Sequence, residues 1–234
     1  MRNGFPEILY EDNHIIIVNK RSSDLVQGDG TGDEPLDDIV RAYIKAKYNK
    51  PGDVFLGVVH RLDRPVSGCV VYARTSKALT RLSELFRTRE VKKTYWAIVT
   101  DRPPEEEGTL NNWLKKNEKQ NKSYVYPTEV KGSKLAELSY KILGRSERYY
   151  LVEVDLQTGR HHQIRAQLAA AGCPVKGDLK YGAKRSNEGG GISLHSRRVS
   201  FVHPVKKEEI RVEAPLPGDR IWKLFANISG GETV

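Results

Sequence analysis

Cysteine is scarce in this chain. Cys69 and Cys173 are its only two, and no CxxC pair occurs, so neither a disulfide framework nor a cysteine-rich metal site can organise it. No apolar run approaches the roughly 18 to 20 residues that a membrane-crossing helix needs. The opening Met1-Arg2-Asn3-Gly4-Phe5-Pro6 carries no apolar signal segment. A reducing, cytoplasmic compartment is the expectation. The six-residue dinucleotide fingerprint, an HExxH pair and a GxSxG elbow are all missing. There is no internal repeat and no Pro/Ser-rich linker.

What is present is enough for a core. Of 234 residues, 38% are hydrophobic, with three Trp, five Phe and eleven Tyr, so wholesale disorder is excluded. At about 150 residues per domain the length fits one large domain or two small ones. Lysine and arginine number 39 against 30 acids, a formal charge of +9. The excess is uneven: residues 1–60 carry −3 and residues 61–234 carry +12. Such a field favours a polyanionic partner, most simply nucleic acid.

The patterning predicts many strands and few helices. Ile8-Leu9-Tyr10 and His14 to Val18 read as strands around an Asp12-Asn13 turn, followed by a Gly/Asp-rich turn from Asp24 to Asp33. Leu36, Ile39, Val40, Tyr43 and Ile44 repeat at helical spacing behind Pro35. Val54 to Val59 and Cys69 to Tyr72 read as strands. Thr75 or Ser76 caps a helix with Ala78, Leu79, Leu82, Leu85 and Phe86 on one stripe. Strands follow over 94–99, 108–114, 123–126, 135–143 and 149–156, then a helix from about Arg160 closed by Gly172. Strands at 192–202 and 210–214 and a short helix at 221–225 complete the pattern. The expected fold is α+β, a mixed, mostly antiparallel sheet with flanking helices. The chain reads as a single domain, 1–234, in two subdomains, with a division near 101–108, where Pro103-Pro104 and three Glu stand together.

One polar loop lies between two strands: His60-Arg61-Leu62-Asp63-Arg64-Pro65, then Ser67-Gly68. A carboxylate between two arginines on a tight loop is either a surface ion pair or a reactive group held by a rigid sheet. Gly57-Val58-Val59-His60-Arg61-Leu62-Asp63-Arg64-Pro65-Val66-Ser67-Gly68, with Ala73-Arg74-Thr75 after it, resembles the signature of the RluA-type RNA pseudouridine synthases. Lys92-Lys93-Thr94-Tyr95-Trp96-Ala97 resembles that family's second motif, and Gln157-Thr158-Gly159-Arg160-His161-His162-Gln163-Ile164-Arg165 its third. Gly177-Asp178, Tyr181-Gly182, Leu194-His195 and Phe201-x-His203-Pro204 resemble later landmarks, in order, over residues 8 to 215. Two departures stand out: Lys20-Arg21-Ser22-Ser23 replaces the usual Lys-Pro-x-Gly, and Pro65-Val66 replaces an acid and a Thr. The small N-terminal RNA-binding domain of many relatives has no counterpart, so a bare catalytic domain is expected.

The resemblance implies isomerisation of uridine to pseudouridine within ribosomal or transfer RNA, without a cofactor. It implies that Asp63 is the catalytic carboxylate, that Arg165 is its guanidinium partner and that Tyr95 is the aromatic of the base pocket. A buried carboxyl rises in pKa, and a guanidinium within about 4 to 6 Å lowers it by about 1 to 3 units. Tyr95 and Trp96, adjacent on a strand, should point to opposite faces. Arg61 matches a position that fills the space left by an extruded base. Arg64, Arg160, Lys92 and Lys93, with Lys176, Arg197 and Arg198, are expected at phosphates, as a group. No metal site is expected, since the six His show no ligand spacing; His60 and His195 read as packing or hydrogen-bonding groups. The two cysteines read as buried fillers. Lys184 to Gly191 reads as a surface loop. A monomer with no membrane partner is expected. The rival readings are a non-catalytic RNA-binding or ribosome-assembly factor on the same fold, and a glycosidic hydrolase, which calls for a second carboxylate.

Overall fold

The Asp12-Asn13 turn shows how local chemistry sets the first hairpin. In the computed structural model, which describes residues 4–28, 30 and 32–230, β1 (Glu7–Glu11) pairs antiparallel with β2 (Ile15–Lys20) across this turn. Met1, Arg2 and Asn3 of the opening segment, and Asp29 and Thr31 of the glycine-rich turn, lie outside the described residues. So do residues 231–234. The structure has two compact units, one of residues 1–92 with 196–215, the other of 93–195 with 216–234. The 101–108 segment therefore does not divide the chain. It is a charged surface connection inside the second unit.

In the first unit, β2 also pairs with β4 (Ser67–Ala73), and the two-residue β3 (Gly57–Val58) adds to β4. Ile15 to Val18 and all of β4 are buried, which is why both read as continuous apolar runs rather than alternating ones. The long strand expected at 54–59 shrinks to Gly57–Val58. Pro51-Gly52 interrupts the approach and Phe55 is exposed. α1 (Leu36–Lys47) begins directly after Pro35, and α2 (Ser76–Arg87) is capped by Thr75, whose hydroxyl accepts the Ala78 N–H at 3.1 Å. Ala78 and Leu82 of α2 pack with Ile15, Ile17 and Val71. β10 (Leu194–Val202) lies next to β4 and pairs antiparallel with β11 (Glu209–Glu213).

The second unit is an antiparallel meander in the order β5 (Lys92–Val99), β9 (Tyr150–Leu156), β8 (Lys134–Arg145), β6 (Glu107–Asn117), β7 (Lys122–Tyr126). α4 (Arg220–Lys223) brings Trp222 onto one face, against Trp96, Ile98 and Leu151. α3 (Gln163–Ala170) covers the other face, with Ala166 against Leu114 and Ala136. α3 starts three residues later than the sequence suggests, because His162 sits at φ +53°, outside helical geometry. Its far end is as expected: Gly172, at φ +84°, allows Cys173 N–H to reach Leu168 O at 3.0 Å and Gly172 N–H to reach Ala169 O at 3.1 Å. The architecture is the expected α+β one. Among the described residues no helix is long and apolar enough to cross a membrane.

Asp12 ties the first hairpin to the β10–β11 turn. Its Oδ1 accepts the N–H groups of His14 and Ile15 at 2.8 and 2.9 Å, and its Oδ2 lies 3.0 Å from both His203 Nε2 and Lys206 Nζ. The Nδ1 of His203 accepts two backbone N–H groups, from Val205 and Lys206, so the ring proton of the neutral form resides on Nε2, facing Asp12. Partial burial works to raise the Asp12 pKa, but the two N–H groups and the neighbouring cations outweigh it and hold the carboxyl at about 2. A carboxyl depressed in the folded state stabilises the fold above its unfolded value and loses that contribution as pH falls. Wild-type protein is expected to lose stability between about pH 4 and pH 2 more steeply than Asp12→Asn. Urea midpoints measured across that range check this.

Candidate active site

Asp63 stands on the connection between β3 and β4, half-buried, at the start of a tight turn closed by the Val66 N–H on Asp63 O at 3.0 Å. Lys20, at the end of β2, fixes this turn. Its side chain is fully buried, and its ammonium donates to the carbonyls of Arg21 and Arg64 at 3.0 Å and of Val66 at 2.6 Å. Ser23 N–H adds a second bond to Arg64 O at 2.8 Å. A buried ammonium is tolerated only with its donors satisfied, and here two of the three acceptors are carbonyls of the turn after Asp63. The sequence marks Lys20 only as the first residue of the segment Lys20-Arg21-Ser22-Ser23 and gives it no role. Its signal was a lone Lys closing the apolar run Ile15 to Val18.

His60 braces the other side of the loop. Its Nε2 accepts the Val71 N–H at 2.9 Å, and its ring stacks on Phe86 at 4.7 Å, a hydrogen-bonding and packing role as expected. Gly68, just past the turn, has φ +110°, and a Cβ there would fall 2.3 Å from Ser196 O. Only glycine allows β4 to approach the backbone of β10 so closely. Arg61 is exposed. Arg64 is exposed too, and pairs with Asp33 at 2.6 Å, a surface pair that a phosphate can displace.

In the second unit, Tyr95 and Trp96 do point to opposite faces of β5. Trp96 donates its Nε1–H to Glu153 at 3.1 Å and packs with Trp222. Tyr95 is buried at 7% exposure opposite Val154. Beside it Thr94 bonds Asp155 at 2.6 Å. Lys92 is exposed and Lys93 half-buried; Lys93 Nζ lies 3.5 Å from where a Cβ on Gly159 would stand, next to the third motif. That motif is internally bonded. Gln163 Oε1 accepts from Thr158 Oγ1 at 2.8 Å and from Arg160 N–H at 2.9 Å, while its amide donates to Glu137 O at 3.0 Å. Arg160 Nε donates to Leu135 O at 2.8 Å.

Arg165 is 5% exposed and is held by a partner the sequence reading did not name. Asp178 accepts from its Nε at 2.6 Å and from its Nη2 at 2.9 Å, a two-point grip. The guanidinium also lies 5.1 Å from the Tyr181 ring centroid. The Tyr181 hydroxyl accepts the Ser123 N–H at 2.8 Å and lies 3.0 Å from His162 Nδ1. Thus Asp178 and Tyr181, quoted above as landmarks, build the seat of Arg165. Ser123 Oγ gives its proton to His161 O at 2.7 Å and is itself buried, so the Ser123–His161–Asn121 chain orients an imidazole rather than activating a nucleophile. Burial pushes the Cys69 thiol up to about 12 and the Cys173 thiol up to about 11, leaving both as unreactive filler. Among the described residues no three His, Cys, Asp or Glu side chains group to hold a metal. The loop at 184–191 is anchored through Asn187, which accepts from Lys176 Nζ and donates to Ser193 Oγ at 3.0 Å.

The sequence profile of the RNA pseudouridylate synthase family matches residues 14–170. The chain is 34% identical over 228 residues to the uncharacterized RNA pseudouridine synthase YhcT of Bacillus subtilis, covering 92% of this chain and 70% of that protein. It is likewise 34% identical over 224 residues to the ribosomal large subunit pseudouridine synthase C of Buchnera aphidicola, covering 93% and 69%. Among solved structures, human RNA pseudouridylate synthase domain containing 4 superposes with a TM-score of 0.78 at 25% identity, covering 95% of this chain and 91% of that one.

Two outcomes test the local geometry. Lys20→Met should lower the unfolding free energy by about 2 to 4 kcal/mol, because three carbonyls lose a charged donor; denaturant titration reads this. Asp178→Asn should cost about 3 kcal/mol by breaking a buried ion pair, in the same assay.

Proposed function

Because the chain belongs to the RNA pseudouridylate synthase family, and so is an isomerase acting on RNA, we propose that Asp63 is the carboxylate at which specific uridines of ribosomal or transfer RNA become pseudouridine. The observation that carries this reading is the clamp on the Asp63 loop: a buried lysine spends two of its donors on carbonyls of the turn that follows the acid. A structural surface acid needs no such fixing, whereas a reacting group does. The relative from Buchnera aphidicola, named for the large ribosomal subunit, makes ribosomal RNA the first substrate to try.

The reaction breaks the bond from uracil N1 to the ribose, turns the base, and makes a bond from the same sugar carbon to C5. The C5 proton leaves and N1 takes one up, so substrate and product are isomers and no oxidant or group donor is consumed. The protein must therefore supply one ionised carboxylate, a pocket for the loosened base, and a grip on the RNA. In this reading Asp63 is that carboxylate. Arg165, oriented by Asp178, is the guanidinium of the catalytic set. Tyr95 stacks on the base.

Arg61 follows the strand into the space the extruded uridine leaves; its flat cation stacks as well as binding phosphate. Arg64, Arg160, Lys92 and Lys93 meet the backbone. The chain acts as a monomer on RNA without a cofactor, and a non-catalytic RNA-binding or ribosome-assembly role is the rival.

Asp63→Asn should abolish pseudouridine formation in transcripts of ribosomal and transfer RNA, with RNA affinity within about three-fold of wild type, since one neutralised acid removes no phosphate contact. Arg165→Met should likewise lose turnover. Appreciable product from the Asp63→Asn variant overturns the role given to Asp63, whereas a wild-type protein that binds RNA and forms no pseudouridine favours the rival reading.

A further inference from the structure

The second unit has a second face with the chemistry of an RNA contact. Along β6, side chains alternate, and Leu114 points into the α3 side of the sheet. Trp113 and Lys115 therefore point the opposite way. Cross-strand register puts Tyr126 and Leu135 beside Trp113, and Tyr124 beside Lys115. These five share one face. Farther along the same side, Trp222 covers Trp96. At the β6–β7 end the face stays open: Tyr124 is 39% exposed and Leu135 37%, with Trp113 and Tyr126 half-buried.

Charge says what this face meets. Residues 113–136 hold six lysines and two glutamates. Lys116 is paired with Glu118, while Lys115, Lys119, Lys131 and Lys134 are exposed. Lys122 Nζ stands 5.6 Å from the Tyr124 ring centroid. Exposed rings interleaved with lysines on a sheet are suited to unpaired bases, whose π-faces stack while phosphates meet the ammonium groups. An apolar protein partner would find the patch ringed by cations.

We propose that the open face of β6, β7 and β8 is a stacking platform for a single-stranded segment of the RNA substrate, with Trp113, Tyr124 and Tyr126 taking bases and Lys115 a phosphate. This rests on the RNA-modifying reading above and adds a contact remote in sequence from the Asp63 loop.

The test uses the full chain and a 12-nucleotide oligoadenylate, which contains no uridine and so is no substrate. Trp96 and Trp222 are buried, so contact quenching by a bound oligonucleotide reports chiefly on Trp113. Oligoadenylate should quench it, and Trp113→Phe should bind while losing the signal. Tyr124→Ala and Tyr126→Ala should each weaken binding roughly ten-fold. Lys115→Gln should lower the slope of log affinity against log salt by about 0.7. Unquenched fluorescence, or alanine variants that bind like wild type, overturns the proposal. So does a dimer in sedimentation that Trp113→Ser dissociates, which would assign the face to a second copy. Pseudouridine formation by the wild-type protein is scored separately, so a failed platform and a failed enzyme assignment read differently.

Discussion

A buried cation must have every donor engaged, and two such cations organise this protein. Lys20 lies wholly inside the first unit and satisfies its ammonium on backbone carbonyls. Because two of those carbonyls belong to the turn after Asp63, the cost of burying the charge is offset only while that turn holds its shape. Arg165 obeys the same constraint in the second unit, where Asp178 takes two of its N–H groups and Tyr181 faces its plane. In each case the requirement to satisfy a charge also fixes the position of a group on which the proposed chemistry relies.

Scaffold and chemistry are separated accordingly. Ile15 to Val18 of β2 and the whole of β4 are buried and carry the Asp63 loop on a rigid base. The third motif spends Gln163 and Thr158 on each other, on the Arg160 N–H and on the Glu137 backbone, with Arg160 half-buried beside them. Loops that carry reacting groups are stiffened here by side-chain bonds to main-chain atoms, the arrangement that gives a loop the precision of a strand.

The sequence was most legible where a local rule decided the outcome. Thr75 caps α2, Gly172 closes α3, and Tyr95 and Trp96 alternate, all from propensities within a few residues. It was least legible where distant residues decide. Pairing of Arg165 with Asp178 spans thirteen positions, and the Lys20 clamp spans more than forty. No periodicity records either. The strand expected at 54–59 failed because an apolar run does not say which residues find a partner strand. The units divide at 92/93 rather than near 101–108, since a Pro/Glu-rich loop marks exposure and not a boundary. Of the site residues, Asp63, Arg165 and Tyr95 came from motif resemblance; Lys20 and Asp178 stood in quoted segments, and their roles in holding the Asp63 turn and Arg165 came from the structure.

On the proposed reading this chain isomerises particular uridines at Asp63. Mapping pseudouridine at nucleotide resolution in total RNA, from cells with the protein, without it, and with only the Asp63→Asn form, tests it most directly. A small set of ribosomal or transfer RNA positions should carry pseudouridine in the first case and uridine in the other two. Identical maps in all three, or full modification by the Asn form, would contradict it.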